Sequence, residues 1–196
     1  MASELKIPFD IENVTILNSQ VTSDGKLLIT VESQLETTRC GCCGGEIRCN
    51  EGHGQTIRLR HLPVLGMETY VQLRPKRGKC KTCWTEPKTT QVLAWYEARS
   101  GHTKAYDEYL LKQLVNSTIE DVSLKENIGY DAVVGALNRQ VATTINWDEI
   151  DDLGTIGIDE IALKKGHKDF AAIVTGKQTN GKVRILAVLP DRKKQA

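Results

Sequence analysis

Long apolar runs are missing from this 196-residue chain: none approaches the roughly 20 residues that a membrane-spanning helix needs. A helical membrane protein is therefore excluded, and no membrane partner is expected. The opening MASELKIPFD has neither a basic cap nor a hydrophobic core, so it is not a secretory signal and the default expectation is a cytoplasmic protein. Internal repeats and low-complexity tracts are absent too, which leaves out solenoids and tail-like segments. Net charge is also scarce, at +1. What is present is 26% charged and 40% apolar residues, the balance of a folded chain with room for one ordinary domain or two to three small ones.

The small net charge hides an uneven distribution. Residues 1–39 carry three Lys/Arg against six Asp/Glu, and residues 40–105 carry eleven against five. Residues 106–154 reverse this, with three against ten, and residues 155–196 return to nine against four. Alternating blocks of this kind suggest modules with different partners, two of them able to meet a polyanion.

The local patterns support an α+β, multi-module chain. Residues 11–33 read as a β-hairpin turning at Ser23-Asp24-Gly25, a strong short-range turn signal between β-branched runs. QTIRLRHLPV and METYVQLRPK read as two more strands joined near Pro63–Gly66. From about Thr103 the period becomes helical, with Tyr106, Tyr109, Leu110 and Leu114 on one face. Ser117 to Glu120 matches a capping box that would start a short helix to about Asn127, followed by a second helix through YDAVVGALNRQV. TIGIDEIAL, DFAAIVTG and VRILAVLP then read as three short antiparallel strands. The expected modules are an N-terminal hairpin (1–39), a β-rich zinc-binding domain (40–100), a helix-turn-helix-like segment (101–152) and a strand-rich part from 153.

The six cysteines point to a metal or a redox role rather than to a disulfide framework. Cys40-x-x-Cys43 and Cys80-x-x-Cys83 form two paired knuckles, and tetrahedral zinc takes its four ligands from such pairs. Zn is thus the expected structural cofactor, with Cys40, Cys43, Cys80 and Cys83 as ligands. Cys42, beside Cys43, could replace Cys40, and Cys49 is surplus. His53 and His61 are left out of the ligand set, because a lone loop histidine is more often solvated. Trp84 is expected to pack against the zinc subdomain.

RPKRGKCKTC sets Arg74, Lys76, Arg77, Lys79 and Lys81 beside the second knuckle, a density of cations suited to phosphate contacts. A solvated edge strand is the plainer alternative. The two helices of residues 117–141 have helix-turn-helix dimensions, which would put Tyr130, Asn138, Arg139 and Gln140 at base edges. The excess of acids there objects, and a structural helical linker fits nearly as well. Asp159, inside an apolar run, is costly for a buried strand unless a metal or a cation compensates it.

The β-rich start, CGCC…CKTC with its basic run, the helical pair and GIDEIALKKGHKDFAAIVTG…VRILAVLPDRKK together resemble the DDE transposases of bacterial insertion sequences, in the group with an N-terminal zinc-binding domain. The resemblance implies a ribonuclease-H-like catalytic domain beginning near Thr155, truncated here to its first three antiparallel strands. It puts Asp159 at the position of the first catalytic carboxylate, with Lys164, Lys165 and His167 in the following hairpin. Such enzymes use three carboxylates to hold two Mg or Mn ions for in-line attack on DNA phosphate. Glu160 faces away from Asp159, and Asp169 and Asp191 belong to turns. The remaining acids are therefore not found, and the chain is expected to be inactive alone in strand transfer. The expected partner is double-stranded DNA at the transposon terminal repeats, with a homo-oligomer or the full-length transposase as a second partner. The alternative is a non-catalytic interaction protein that associates with or inhibits the full-length transposase. A zinc-containing regulator unrelated to transposition has no use for Asp159.

Overall fold

The Asp24-Gly25 signal closes a hairpin in the structure, a computed structural model that describes residues 9–141, 145–150, 152–162 and 170–189. Gly25 adopts φ 77°, its N–H donates to the Thr22 carbonyl at 2.9 Å, and the turn joins strands β1 (Val14–Val21) and β2 (Leu27–Ser33). Two small ribbons and a second hairpin follow. The first ribbon is β3 (Thr37–Arg39) with β4 (Glu46–Arg48). The hairpin is β5 (Ile57–Val64) with β6 (Met67–Leu73), and the second ribbon is β7 (Arg77–Lys79) with β8 (Lys88–Thr90). Leu65 and Gly66 both take positive φ at the β5–β6 turn, as a tight two-residue hairpin connection requires.

The two hairpins form a single sheet of order β1-β2-β6-β5, because β2 and β6 pair in parallel. That pairing has a consequence for the cysteines. Val31 lies opposite Leu73, so β2 and β6 finish side by side. Each ribbon then begins four residues beyond its strand, at Thr37 after Ser33 and at Arg77 after Leu73. Both ribbons therefore leave the sheet from neighbouring points, and each carries a CxxC at its far end.

The sheet's inner face is the core. Ile29, Val31, Leu59, Val71 and Leu73 are buried against Leu93 and Tyr96 from the segment that follows β8, with Ile11 completing the cluster. Gln91 ties that segment down through its Nε2, which donates to the carbonyls of Leu35 and Thr37 at 3.2 and 3.0 Å. The outer edge of β5 is covered as well: Arg60 N–H donates to Gly101 and Thr103 N–H donates back to Arg60. The outer edge of β1 has no such cover among the described residues.

Three helices complete this unit, α1 (Lys104–Gln113), α2 (Ile119–Glu126) and α3 (Tyr130–Gln140). Tyr106, Leu110, Val122, Val133 and Ala136 form their buried cluster, with Tyr109 and Leu114 packed at its margin. The periodic face expected from the sequence is thus the packed face. The capping box sits one residue later than expected, on Thr118 and Asp121. Ser117 N–H already donates to Leu114 at 3.1 Å and so is not free for the return bond of a capping box, whereas Thr118 has the extended dihedrals of an N-cap. Asn127, at φ 51°, closes α2 in the left-handed conformation.

Two polar networks fasten the helices. Arg60 pairs with Glu68 and lies over the rings of Tyr70 and Tyr106, while Tyr106 and Tyr109 both donate to Glu126 at 3.1 and 2.9 Å. Asp107, only 1% exposed, accepts two 2.8 Å bonds from Arg139 and one of 3.1 Å from His102 Nδ1. Burial by itself pushes the Asp107 carboxyl up, but the His102 and Arg139 donors outweigh it and hold the group below the ordinary carboxylate range.

The chain divides into two compact units at Val141/Ala142. The second contains an antiparallel sheet of β9 (Thr155–Ala162), β10 (Phe170–Lys177) and β11 (Val183–Leu189), in the order β11-β10-β9. Three antiparallel strands were expected here. The environment of β9 was not: Ile156, Ile158 and Ile161 are exposed, so Asp159 does not lie in a buried strand. Among the described residues, β9 has a neighbouring strand on one side only. Lys164, Lys165, His167, Asp169 and Asp191 lie outside the described residues. No helix among the described residues is long and apolar enough to cross a membrane.

Candidate metal centre

Each CxxC starts where a ribbon strand stops, Cys40 directly after β3 and Cys80 directly after β7. The first knuckle is a tight backbone turn. Cys40 N–H donates to Gly45 at 2.8 Å, Gly44 N–H donates back to Cys40 at 3.0 Å, and Gly44 supplies φ 71°. The second is closed by Cys80 N–H to Pro87 at 3.0 Å and Glu86 N–H to Cys83 at 2.9 Å. The ribbons cross in close contact at Gly78, where an added Cβ would stand 2.6 Å from the Arg48 carbonyl oxygen. Glycine is needed at this point for the approach of two backbones.

The result is four sulfurs gathered from both ribbons. Cys40 and Cys83 Sγ are 3.9 Å apart, Cys43 and Cys80 Sγ 3.8 Å, and all four lie within 4.8 Å of one another. Four thiolates each about 2.3 Å from a tetrahedral zinc would be separated by about 3.8 Å. The donor set and its spacing therefore fit structural zinc. Cys40 and Cys80 are buried beneath the knuckles, and Cys40 rather than Cys42 contributes its sulfur; Cys42 is exposed and Cys49 stands outside the group. Backbone N–H groups favour the thiolate at two of the four, Cys80 and Cys40. That of Cys83 comes first among the donors that bring the Cys80 thiol down to about 6, and that of Cys43 leads in lowering Cys40. Cys83 is pushed up, chiefly through its bond with the Cys43 thiol. A divalent cation would replace these shared protons.

The two histidines outside the ligand set stand elsewhere. His53 is exposed and bridges to Lys76 through the backbone, and His61 is buried with Nδ1 2.9 Å from Thr103 Oγ1. Among the described residues, the four cysteines are the one group of three or more potential ligands within reach of a single ion. Asp159 is exposed on β9 opposite Ile173, and its Oδ1 accepts from Glu160 N–H at 2.8 Å.

The expected DNA contacts divide by their surroundings. Arg74 and Lys81 are exposed, with no ion pair among the described residues. Lys76 is paired with Glu36 and largely covered, Lys79 is paired with Glu86, and Arg77 is half-buried on β7 with its Nε enclosed. Arg139 is held by Asp107, whereas Asn138 is exposed and Gln140 half-buried at the end of α3. Two cations that the basic run did not indicate, Arg39 and Arg48, are exposed on the first ribbon. A strand pattern of Thr-Thr-Arg and Glu-Ile-Arg flanking the first knuckle is the signal that would have found them. Trp84 does not pack on the zinc subdomain; it is 100% exposed, because the loop it occupies is closed by the metal ligands and has no interior to receive an indole.

Residues 36–83, which contain both knuckles, match the family described as the zinc-finger of transposase IS204/IS1001/IS1096/IS1165. Over 137 residues the chain is 26% identical to the transposase for insertion sequence element IS1557 of Mycobacterium tuberculosis, both in strain CDC 1551 / Oshkosh and in strain ATCC 25618 / H37Rv. That alignment covers 69% of this chain and 30% of each relative, so the chain spans less than a third of their length. No solved structure matches the chain. The resemblance to an insertion-sequence transposase is thereby shown, and it lies in the N-terminal portion.

Proposed function

We propose that this chain is the DNA-recognition portion of an insertion-sequence transposase and that it binds the terminal repeats of its element through the zinc ribbon. The observation that carries the proposal is the four-cysteine centre itself: two ribbons locked at one point, in the segment that matches a transposase zinc finger. A metal-held surface of this kind keeps its cations in fixed relation to a phosphate backbone. Arg39, Arg48, Arg74 and Lys81 are exposed cations around it, Lys88 is exposed but paired with Glu51, and Lys76, Arg77 and Lys79 add charge behind them. In this proposal α2 and α3 act as a helix-turn-helix with Tyr130, Asn138 and Gln140 toward the bases, while Arg139 fixes α3 to α1 through Asp107. The second unit is the start of a ribonuclease-H-like domain, with Asp159 as the first of its Mg- or Mn-binding carboxylates.

The test is a titration of the zinc-loaded chain with the terminal repeat against scrambled DNA of equal length, at fixed salt. Tighter binding to the repeat, lost on zinc chelation, is the expected result, since phosphate contacts and their register both depend on the ribbon. Equal weak binding to both DNAs, unchanged by the chelator, would remove the ribbon from recognition. A second reading, association with another copy or with the full-length transposase, is favoured by β1. Its residues are almost all exposed, its sequence VTILNSQV carries no charge, and its outer edge is open among the described residues.

A further inference from the structure

Three tryptophans are present in the chain, and they differ in their surroundings. Trp95 packs against the core of the four-stranded sheet, and Trp147 in the second unit is 59% exposed. Trp84 is 100% exposed. A tryptophan left wholly in water forgoes the largest apolar burial that any side chain can make.

The setting of Trp84 is rigid. It follows Cys83 directly, in the short loop that joins β7 to β8, and that loop is tied at its base by the Cys80–Pro87 hydrogen bond and by two of the metal ligands. The backbone beneath the ring therefore has little freedom left to lose when it meets a partner, and the ordering cost is confined to the indole's own two side-chain torsions. The setting is also polar. Within residues 37–48 and 77–90, Trp84 is the one large apolar side chain that is exposed. Lys81, Thr82 and Thr85 are exposed in the same loop, and its one acid, Glu86, is neutralised by Lys79, which leaves Lys81 as the net charge. The facing knuckle exposes Gly41, Gly44 and Gly45, and a Cβ at Gly44 would meet open space.

A protein partner would need a continuous apolar patch around the indole, and the two ribbons supply no second exposed large apolar side chain for one. The chemistry that matches a lone flat ring, a neighbouring cation and a glycine-rich facing knuckle is a nucleobase with its phosphate. Base faces in an intact duplex are already stacked, so the accessible ones belong to unpaired nucleotides. We propose that Trp84 is a base-stacking contact, which takes an unpaired nucleotide at the end of a DNA duplex while Lys81 meets the adjacent phosphate. This rests on the DNA-binding reading of the zinc ribbon and assigns to it a preference for frayed or single-stranded ends.

The experiment compares the zinc-loaded full chain with W84A and W84F on a blunt duplex, the same duplex with a single-stranded overhang, and the single strand alone. Zinc content of each variant is measured first, and it should be unchanged because the ring supports nothing beneath it. The wild type is expected to favour the overhang duplex over the blunt one. W84A should lose that preference by about tenfold, since stacking on one base is worth on the order of 1–3 kcal/mol, and should bind the blunt duplex as before. W84F should keep most of the preference. Equal affinity of wild type and W84A for every DNA, or an equal loss on blunt and overhang duplexes, would overturn the assignment. If the wild type binds neither duplex yet binds the single strand through Trp84, the stacking role stands and the terminal-repeat reading fails. If it binds none of the three, both fail.

Discussion

The zinc ribbon and the four-stranded sheet lie in one compact unit and are held together by different means. The sheet buries Ile11, Ile29, Val31, Leu59, Val71, Leu73, Leu93 and Tyr96 in a shared cluster. The ribbon's buried apolar group is Ile47 with the cysteines themselves. Two three-residue strand pairs cannot bury enough surface to stand in water. One region is therefore stabilised by hydrophobic burial, and the other by metal coordination. A ribbon of this kind can expose its loops, glycines and a tryptophan, because its order does not depend on hiding them.

The largest effect that would expose this difference is loss of the metal. Structural zinc in small finger domains contributes on the order of 10–16 kcal/mol of apparent binding free energy. Chelation is expected to open both ribbons to protease while the sheet keeps its thermal transition, as read by limited proteolysis alongside calorimetry. Cys80→Ser should reproduce this, and Cys42→Ser should leave zinc content unchanged. Concerted melting of the sheet on chelation would mean that the two regions share one source of stability.

Asp107→Ala should act away from the ribbon, on the helices packed in the same unit. It leaves Arg139 and His102 without their shared acceptor; breaking a fully buried pair costs about 3–5 kcal/mol, and the cost here should fall toward the lower end because the Arg139 side chain is 29% exposed. The helical cluster is expected to melt early, with zinc content intact. The pH dependence follows from the depressed folded-state pKa of Asp107. Its stabilisation is complete above the unfolded carboxylate value of about 4 and is lost as pH falls through the lower folded value. In the variant that acid limb should flatten. Leu73→Ala comes next, with an expected cost of about 2–5 kcal/mol from a wholly buried side chain in the sheet. Thermal denaturation should register it, and zinc stoichiometry should not.

What could be read from the sequence is what depends on near neighbours. The CxxC pairs, the Asp24-Gly25 turn and the helical period on Tyr106, Leu110 and Leu114 each follow from spacing within a few residues. The cap of α2 moved by one position because its choice rests on whether Ser117 N–H is already bonded, and residue types do not reveal that. The parallel pairing of β2 with β6 carries no local signal, since the strands are separated by the whole first ribbon and β5. The fate of the cations was hidden for the same reason. Lys76, Lys79 and Arg139 read as free charge until Glu36, Glu86 and Asp107 are found beside them. Asp159 read as buried from its apolar neighbours, yet a strand with one paired edge among the described residues and exposed isoleucines gives no such burial.

The smallest test concerns the point at which the ribbons cross. Gly78→Ala would place a methyl group 2.6 Å from the Arg48 carbonyl oxygen and 3.2 Å from Ile47 Cδ1. The first contact is with backbone, which cannot rotate away, so β4 and β7 must separate by roughly an ångström or the metal geometry must distort. Overpacking of this kind costs about 1–3 kcal/mol. That is much less than the coordination energy, so the zinc should remain bound with reduced affinity rather than be expelled. A competition titration against a chelator should show weaker zinc retention, while the sheet's thermal transition stays where it was. A shift in that transition with zinc affinity unchanged would reverse the assignment of forces, making the crossing part of the sheet's core rather than of the metal-held ribbon.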